Sequence, residues 1–148
     1  MRIRFRLAWL KAGAAPRRGF AAPEAFALFD GYLGRVGRYA EAAAEGGAPA
    51  ARESGVALWA ADRAAKPLSS EALAAELGKL AASGARGLDI LIGGPDGHPP
   101  GALDALRPEL RWGFGPLTLP HELAAVVAAE QLYRAWTILR REPYHLSH

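Results

Sequence analysis

A short apolar run that leads directly into a glycine-rich loop limits the fold of this chain more than any other feature. Residues 88–92 (LDILI) form a short run that is strongly apolar except for Asp89, and residues 93–97 (GGPDG) follow at once. Strands that are apolar on both faces are typical of parallel sheets covered by helices. The run therefore predicts a buried parallel strand whose carboxyl end opens into a loop.

Strand and helix patterns alternate along the rest of the chain. Arg2–Leu7 alternates strictly between basic and apolar residues, and residues 55–62 form another apolar run, so both are predicted strands. Helices are predicted over four segments: 23–36, 69–84, about 100–110 and 121–138. This order predicts an α/β fold, a mainly parallel sheet with helices on both faces, in one domain that covers residues 1–148.

Two segments give weaker signals. Residues 40–54 (AEAAAEGGAPAARES) are low in complexity and contain no large apolar side chain, so we expect a mobile excursion there. Residues 117–119 (LTL) follow a glycine-rich stretch and are predicted to form a short strand.

Composition excludes several kinds of chemistry. The 148 residues include no cysteine, which removes disulfides, thiolate metal sites and cysteine nucleophiles. Four histidines are present, but no HExxH or similar spacing groups them, so no metal site is predicted.

Charge and hydropathy bear on partners and location. The first ten residues (MRIRFRLAWL) lack the unbroken apolar stretch of a signal peptide, and no apolar run reaches membrane-spanning length, so we expect a cytoplasmic protein without membrane contact. The net charge is +3, and fifteen of the eighteen basic residues are arginine. Arginine suits phosphate because its planar guanidinium can bind two oxygens at once. A composition that is rich in arginine for general reasons would give the same excess, so the excess alone does not indicate an RNA partner.

The glycine-rich loops are candidate ligand sites. Ligands of parallel α/β sheets bind beyond the carboxyl ends of the strands, where residues 93–97 and the stretch GFGPLTLP (113–120) are predicted to lie. Glycine lets a backbone approach a ligand closely, which suits a nucleotide-like molecule. A GGPxG sequence is more often an ordinary turn, and it is neither a GxGxxG nor a Walker motif.

The last predicted helix carries polar residues on an apolar background. Glu130 and Arg134 are one turn apart and form either a solvated pair or a partly buried pair that orders a ligand. His121 stands at the helix start, where it could equally bind local backbone. Tyr144 and His145 lie in a terminal tail, which would normally fray. The remaining histidines, His98 and His148, are interpreted as surface residues.

This helix is too apolar for one small subunit to bury. Val126, Val127, Leu132, Trp136 and Leu139 cover several of its faces. Packing against a second copy is the simple solution, so we expect a homodimer in which the tail could reach the partner's site.

Four motifs occur together in this order: LIGGPDG (91–97), LTLPH (117–121), EQLYRA (130–135) and PYH (143–145). With Asp62 and residues 65–71 (AKPLSSE), they resemble the bacterial ribosomal RNA large-subunit methyltransferase H family, and the resemblance is good over residues 55–145. It implies a SPOUT-type fold with a C-terminal trefoil knot, a homodimer, and S-adenosylmethionine as the methyl donor. The implied reaction is methylation of N3 of a pseudouridine in large-subunit rRNA, on assembled ribosomes.

The resemblance also implies site residues. The cofactor would lie against Ala61, Gly93, Gly94, Phe114, Gly115, Pro116, Leu117, Thr118 and Leu119. The target base would meet His121, Glu130, Arg134, Tyr144 and His145. Either His121 or His145 would accept the N3 proton, because histidine is the natural base near neutral pH.

The chain departs from the family pattern at several positions. Alanine stands at 61, 65 and 125 where a larger apolar residue, glycine and arginine are usual, and Leu146 stands where the tail usually has a basic residue. Glycines occupy positions 113 and 115, which are commonly serine. Two alternatives follow: a methylation-inactive relative that binds ribosomes or S-adenosylmethionine, and a SPOUT methyltransferase with another RNA target.

Overall fold

The computed structural model describes residues 1–147 and contains one five-stranded, all-parallel sheet with the order β2-β1-β4-β3-β5. The strands are β1 (Arg2–Leu7), β2 (Glu41–Gly46), β3 (Val56–Ala61), β4 (Gly87–Ile92) and β5 (Leu110–Trp112). The α-helices are α1 (Pro23–Val36), α2 (Ser70–Ala82), α3 (Ala102–Leu106) and α4 (His121–Leu139). Short 3-10 turns occupy Pro16–Gly19 and His145–Ser147. The α/β class and the parallel sheet are confirmed.

The helices lie unequally on the two faces of the sheet. α1, α2 and α4 cover the face of Phe5, Trp59 and Ile90, and together they form the main core. The short α3 covers the other face, where Leu103 packs on Leu58, Ala60 and Leu91. α4 contacts both α1 and α2, so its apolar faces are largely used within one chain. Within residues 1–147 no helix is long and apolar enough to cross a membrane.

The segment predicted to be mobile contains an edge strand instead. Residues 41–46 form β2 and pair in parallel with β1, so the prediction for residues 40–54 is wrong there. Glu41 lies opposite Arg2 and Glu45 opposite Arg6, so the charges of the two strands complement each other. β2 ends at Gly46, where an added Cβ would overlap the carbonyl oxygen of Lys11. The small side chains of β2 allow this edge strand to lie close to its neighbours. The pattern of apolar residues along the sequence does not indicate such a strand.

Two other boundaries also differ from the sequence prediction. The helix expected over 100–110 is confined to Ala102–Leu106 and ends where Arg107 adopts a left-handed conformation with φ of 48°. The next strand is β5 at Leu110–Trp112, paired with β3, whereas residues 117–119 are not a strand. The predicted start of α2 is confirmed, because the Ser69 side chain accepts a hydrogen bond from the Ala72 amide.

A buried ion pair joins the central strands β1 and β4, and its removal is expected to destabilise the fold. Arg4 donates to both oxygens of Asp89 at 2.7 and 3.0 Å, and Asp89 is only 4% exposed. Asp89→Ala leaves Arg4 with only the exposed Glu53, at 2.6 Å, as its ion-pair partner and should lower the free energy of unfolding by about 3 kcal/mol in a urea titration. Arg4→Met/Asp89→Leu should recover most of this loss. A double variant as unstable as Asp89→Ala would contradict this explanation.

Candidate active site

A cavity of about 440 Å³ opens at the carboxyl ends of β3 and β4. Its wall includes eight of the nine residues that the family resemblance assigned to the cofactor: Ala61, Gly93, Gly94, Phe114, Gly115, Leu117, Thr118 and Leu119. Pro116, the ninth, does not line it. The sheet argument and the motif resemblance therefore converge on one cavity.

The two glycines after β4 are tightly enclosed, so that a side chain at either position would push its neighbours by a few tenths of an ångström. A Cβ on Gly93 would lie 3.0 Å from the Gly97 backbone and 3.2 Å from the His98 ring. A Cβ on Gly94 would lie 3.1 Å from the Cβ of Trp9. Glycine at these positions lets the loop fold tightly and leaves its backbone exposed to the cavity.

His98 lies in the cavity wall, so the interpretation of this residue as a surface histidine is wrong. Its ring is half-buried, and Nε2 lies 2.6 Å from the carbonyl oxygen of Ala61. This hydrogen bond ties the loop after β4 to the end of β3. The available signal is its position directly after the GGPDG turn, at the predicted strand end. His148, the other histidine interpreted as a surface residue, lies outside the described residues.

Charged residues that the sequence prediction did not include also line this cavity. Asp62 follows Ala61 at the end of β3, and its carboxylate accepts a hydrogen bond from the Ala64 amide at 3.0 Å. Arg111 lies between Asp104 at 2.7 Å and Asp62 at 3.6 Å. The cavity therefore has a polar side with both signs of charge and an apolar side that includes Leu117 and Leu119.

The glycine-rich segment after β5 runs closely along the loop after β3. The Asp62 amide donates to the Trp112 carbonyl at 2.9 Å, and the Leu68 amide donates to the Gly113 carbonyl at 3.4 Å. A Cβ on Gly113 would overlap the carbonyl oxygen of Ala65. The segment can take this path because it presents no side chain at position 113.

A second group of polar residues lies on α4 and the tail. Glu130 Oε1 accepts hydrogen bonds from Nε and Nη2 of Arg134 at 3.0 and 2.7 Å, and the two side chains are 16% and 12% exposed. The Tyr144 hydroxyl donates to the same oxygen at 2.9 Å. His145 Nδ1 lies 3.2 Å from Arg134 Nη1, and its Nε2 lies 2.8 Å from Glu71 of α2. We call Glu71, Glu130, Arg134, Tyr144 and His145 the tail cluster.

The tail is packed rather than frayed. The Tyr144 ring packs edge-on against Tyr133 with centroids 4.7 Å apart, and the Arg134 guanidinium lies 4.9 Å from the centre of the Tyr144 ring. Burial, together with the hydrogen bond to Glu130, raises the pKa of Tyr144, so its hydroxyl stays protonated near neutral pH. The hydrogen bond from His145 lowers the pKa of Glu71, so this carboxylate stays ionised.

The structure brings four of the five predicted target-site residues together but leaves His121 apart. His121 precedes Arg134 by 13 residues, which is about 20 Å along a helix. Its ring packs edge-on against Trp9 with centroids 4.6 Å apart. The residues of the described chain that line the cavity include no member of the tail cluster.

Two further sequence features are also located by the structure. Ala125, at a position where arginine is usual in the family, is fully buried. Among residues 1–147 no three His, Asp or Glu side chains converge as a metal site would require.

Comparison with known families agrees with this geometry. The family model described as "Predicted SPOUT methyltransferase" matches residues 28–145, which is most of the chain. The chain therefore belongs to the SPOUT methyltransferase family.

Individual relatives give a more specific likeness. The chain is 44% identical over 128 residues to a Sorangium cellulosum protein named ribosomal RNA large subunit methyltransferase H, covering 80% of this chain and 87% of the relative. Proteins of the same name from Brucella anthropi and Brucella ovis are 46% identical over 97 residues and 50% identical over 93 residues. Those alignments cover 66% and 63% of this chain, but only 59% and 54% of the relatives. The resemblance drawn from the four motifs is confirmed.

Proposed function

We propose that this chain is an S-adenosylmethionine-dependent methyltransferase that methylates N3 of a pseudouridine in large-subunit rRNA, within assembled ribosomes in the cytoplasm. The observation that carries this proposal is the division of the four family motifs between two places. LIGGPDG and LTLPH supply the cavity, whereas EQLYRA and PYH supply the tail cluster. Relatives that are 44–50% identical bear the name ribosomal RNA large subunit methyltransferase H.

The cavity suits the proposed cofactor. Its volume of about 440 Å³ lies within the range of roughly 300–1,000 Å³ that is usual for small-molecule sites. Gly93 and Gly94 offer backbone groups to an adenosine, and Leu117 offers an apolar wall. The charged side of Asp62 and Arg111 suits the ammonium and carboxylate of an amino acid. When bound, S-adenosylmethionine supplies an electrophilic methyl group.

The tail cluster suits a nucleobase that has left its stack. Arg134 offers N–H donors to a carbonyl or phosphate, and Glu130 holds that guanidinium in place through two hydrogen bonds. Tyr144 adds an aromatic face to the same group. A histidine, His121 or His145, takes the N3 proton as the nitrogen becomes a nucleophile. Holding the base in line supplies most of the remaining rate enhancement.

We also propose a trefoil knot in the C-terminal half. The path of the chain at Trp112 and Gly113 supports it, because both residues are hydrogen-bonded to the loop 62–68 before α4 begins. Glycine at 113 is what permits the close approach. The knot would hold the loop 62–68 and the segment 113–120 against each other, and both contribute to the cavity wall or lie beside it.

A homodimer would bring the tail cluster of one copy to the cavity of the other, and a charge placed in its interface is expected to give monomers. Leu117 lines the cavity, and Leu123 directly precedes Ala124, which also lines it; the two leucines are 75% and 43% exposed. We expect sedimentation equilibrium at micromolar concentration to give twice the 15.7 kDa of one chain. Leu123→Asp should give the mass of one chain, whereas Ala75→Asp, the same charge on an exposed position of α2, should not. A wild-type chain that sediments only as a monomer would overturn the dimer.

Transfer of labelled methyl groups tests the function directly. Ribosomes that lack the modification, and naked large-subunit rRNA, are incubated with labelled S-adenosylmethionine and either the wild type or Tyr144→Phe/His145→Ala. We expect label in the rRNA of ribosomes with the wild type only. Little label is expected on naked rRNA, because we propose that the assembled ribosome supplies much of the surface that binds this domain. Absence of label, with cofactor binding still detected by calorimetry, would favour the methylation-inactive alternative. Label in another RNA would favour the alternative target.

A further inference from the structure

The two ring nitrogens of His145 have different and fixed partners. Arg134 carries only N–H donors, so its contact with Nδ1 at 3.2 Å requires a lone pair on that nitrogen. The ring proton of neutral His145 is then on Nε2, which donates to Oε1 of Glu71 at 2.8 Å. Glu71 and Arg134 therefore together select one tautomer of His145 and leave the lone pair on Nδ1.

The backbone of Glu71 is held beside the histidine, although its side chain is 67% exposed. It lies in the first turn of α2, two residues after Ser69, which caps the helix. On the same turn, the Ser70 hydroxyl donates to the Gln131 side chain at 2.7 Å, and Gln131 donates to Glu130 at 2.7 Å. The first turn of α2 is thus tied to α4 beside the histidine.

We propose that Glu71 is a positioning residue that makes His145, rather than His121, the acceptor of the N3 proton. This inference rests on the proposed function. Carboxylates that hold the far nitrogen of a histidine fix its tautomer and stabilise the imidazolium that forms when the ring accepts a proton. His121 packs its ring against Trp9 instead of a carboxylate.

The Arg134–His145 pair is complementary to the edge of the target base. An imide presents a carbonyl acceptor beside the N3–H donor. Arg134 Nη1 is a donor and His145 Nδ1 is an acceptor, and they lie 3.2 Å apart. Nε and Nη2 of Arg134 are held by Glu130, which leaves the two N–H groups of Nη1: one faces Nδ1 of His145, and the other can donate to the carbonyl of the base.

The proton transfer conserves atoms and charge. The N3–H proton moves to Nδ1 of His145, the lone pair remains on N3 for bond formation, and the imidazolium later releases its proton to water. The groups around the ring are Glu71 from α2, Arg134 from α4 with its partner Glu130, and the Tyr144 hydroxyl from the tail. The Glu71 carboxylate contacts Nε2 and offsets the positive charge that the ring gains, while Glu130 balances the charge of Arg134 by pairing with it.

The test compares Glu71→Gln with Glu76→Gln, a partly exposed glutamate on the same helix that pairs with Lys79. Glutamine at 71 keeps an acceptor for Nε2–H but removes the charge that stabilises the imidazolium. We expect kcat for methyl transfer to ribosomes to fall about 10-fold to 100-fold with an unchanged KM, since the interaction strengthens only in the transition state. Glu71→Asp should recover part of the rate, and Glu76→Gln should match the wild type.

A measurement without cofactor or ribosomes gives a second readout. Nitrogen-15 NMR of the histidine side chains, assigned by single replacements, should find the proton of neutral His145 on Nε2 in the wild type. Glu71→Ala should shift this signal toward a mixture of tautomers. A proton on Nδ1 in the wild type, or an equal kcat for Glu71→Gln and Glu76→Gln, would overturn the proposal. If the wild type transfers no methyl group at all, the proposed function fails, and the tautomer measurement still decides whether Glu71 orders His145.

Discussion

Glu130→Ala is expected to lower the free energy of unfolding by about 3 kcal/mol and to abolish methyl transfer. Its Oε1 accepts hydrogen bonds from Arg134 and Tyr144, while Oε2 accepts one from Gln131. Removing this carboxylate leaves Arg134, which is 12% exposed, without its ion-pair partner. It also releases the tail that carries Tyr144 and His145.

Urea unfolding and methyl transfer to ribosomes measure the two effects. Glu76→Ala on α2 is the control, because Glu76 is 41% exposed and its pairing with Lys79 is on the surface. It should change stability by less than about 0.5 kcal/mol and leave transfer intact. The result that would contradict the argument is a Glu130→Ala chain as stable and as active as this control.

Gly113→Ser is expected to destabilise the chain by about 2 kcal/mol and to weaken cofactor binding, although serine is common at this position in the family. A Cβ there would overlap the Ala65 carbonyl oxygen and lie 3.0 Å from the Lys66 carbonyl oxygen, and both are backbone atoms. The family pattern has glycine at 65, where this chain has alanine. We therefore predict that the two departures compensate each other across this contact.

A double-mutant cycle tests the exchange. Ala65→Gly frees the backbone of the opposing loop, so Ala65→Gly/Gly113→Ser should recover at least about 1 kcal/mol of the loss caused by Gly113→Ser. Thermal unfolding and calorimetric titration with S-adenosylmethionine report both effects. Gly34→Ala is the control, because no atom lies within 4 Å of its added Cβ in α1, and it should stabilise the chain by about 0.5–1 kcal/mol. Additive effects at 65 and 113 would mean that the two departures are independent.

The helices and strands that the sequence predicts well are those whose pattern of apolar residues shows directly which side chains are buried. Four of the five residues 88–92 are apolar, and they belong to β4, which is buried along its whole length. The last helix is predicted over 121–138 and ends at Leu139, because its apolar residues repeat without a break. β2 escapes prediction since its alanines resemble a low-complexity loop, and only its pairing with β1 makes it a strand.

Sequence predicts the residues of the candidate site that belong to a motif. It does not predict those whose role depends on contact with a residue that is distant in sequence. The cavity glycines follow a strand end, so the order of strands and loops in the sequence is enough to indicate their place. His98 resembles a surface residue because nothing local indicates its hydrogen bond to Ala61. The sequence around Glu71 indicates only a favourable interaction with the dipole of α2, since its contact with His145 spans 74 residues of sequence.

The strand order has a consequence for how the chain folds. β1 lies between β2 and β4, and the Arg4–Asp89 pair joins residues 85 positions apart. When such distant segments pair, the chain loses the entropy of closing a long loop before the new contacts can stabilise it. Folding is slow for this reason. During synthesis, β1 cannot pair with β4 until β4 has left the ribosome. Until then β1 lacks one of its two neighbouring strands, and its apolar residues Ile3, Phe5 and Leu7 are not fully buried. The sheet is therefore expected to form only after β4 has been synthesised, with β1 as the segment most exposed to mispairing until that point.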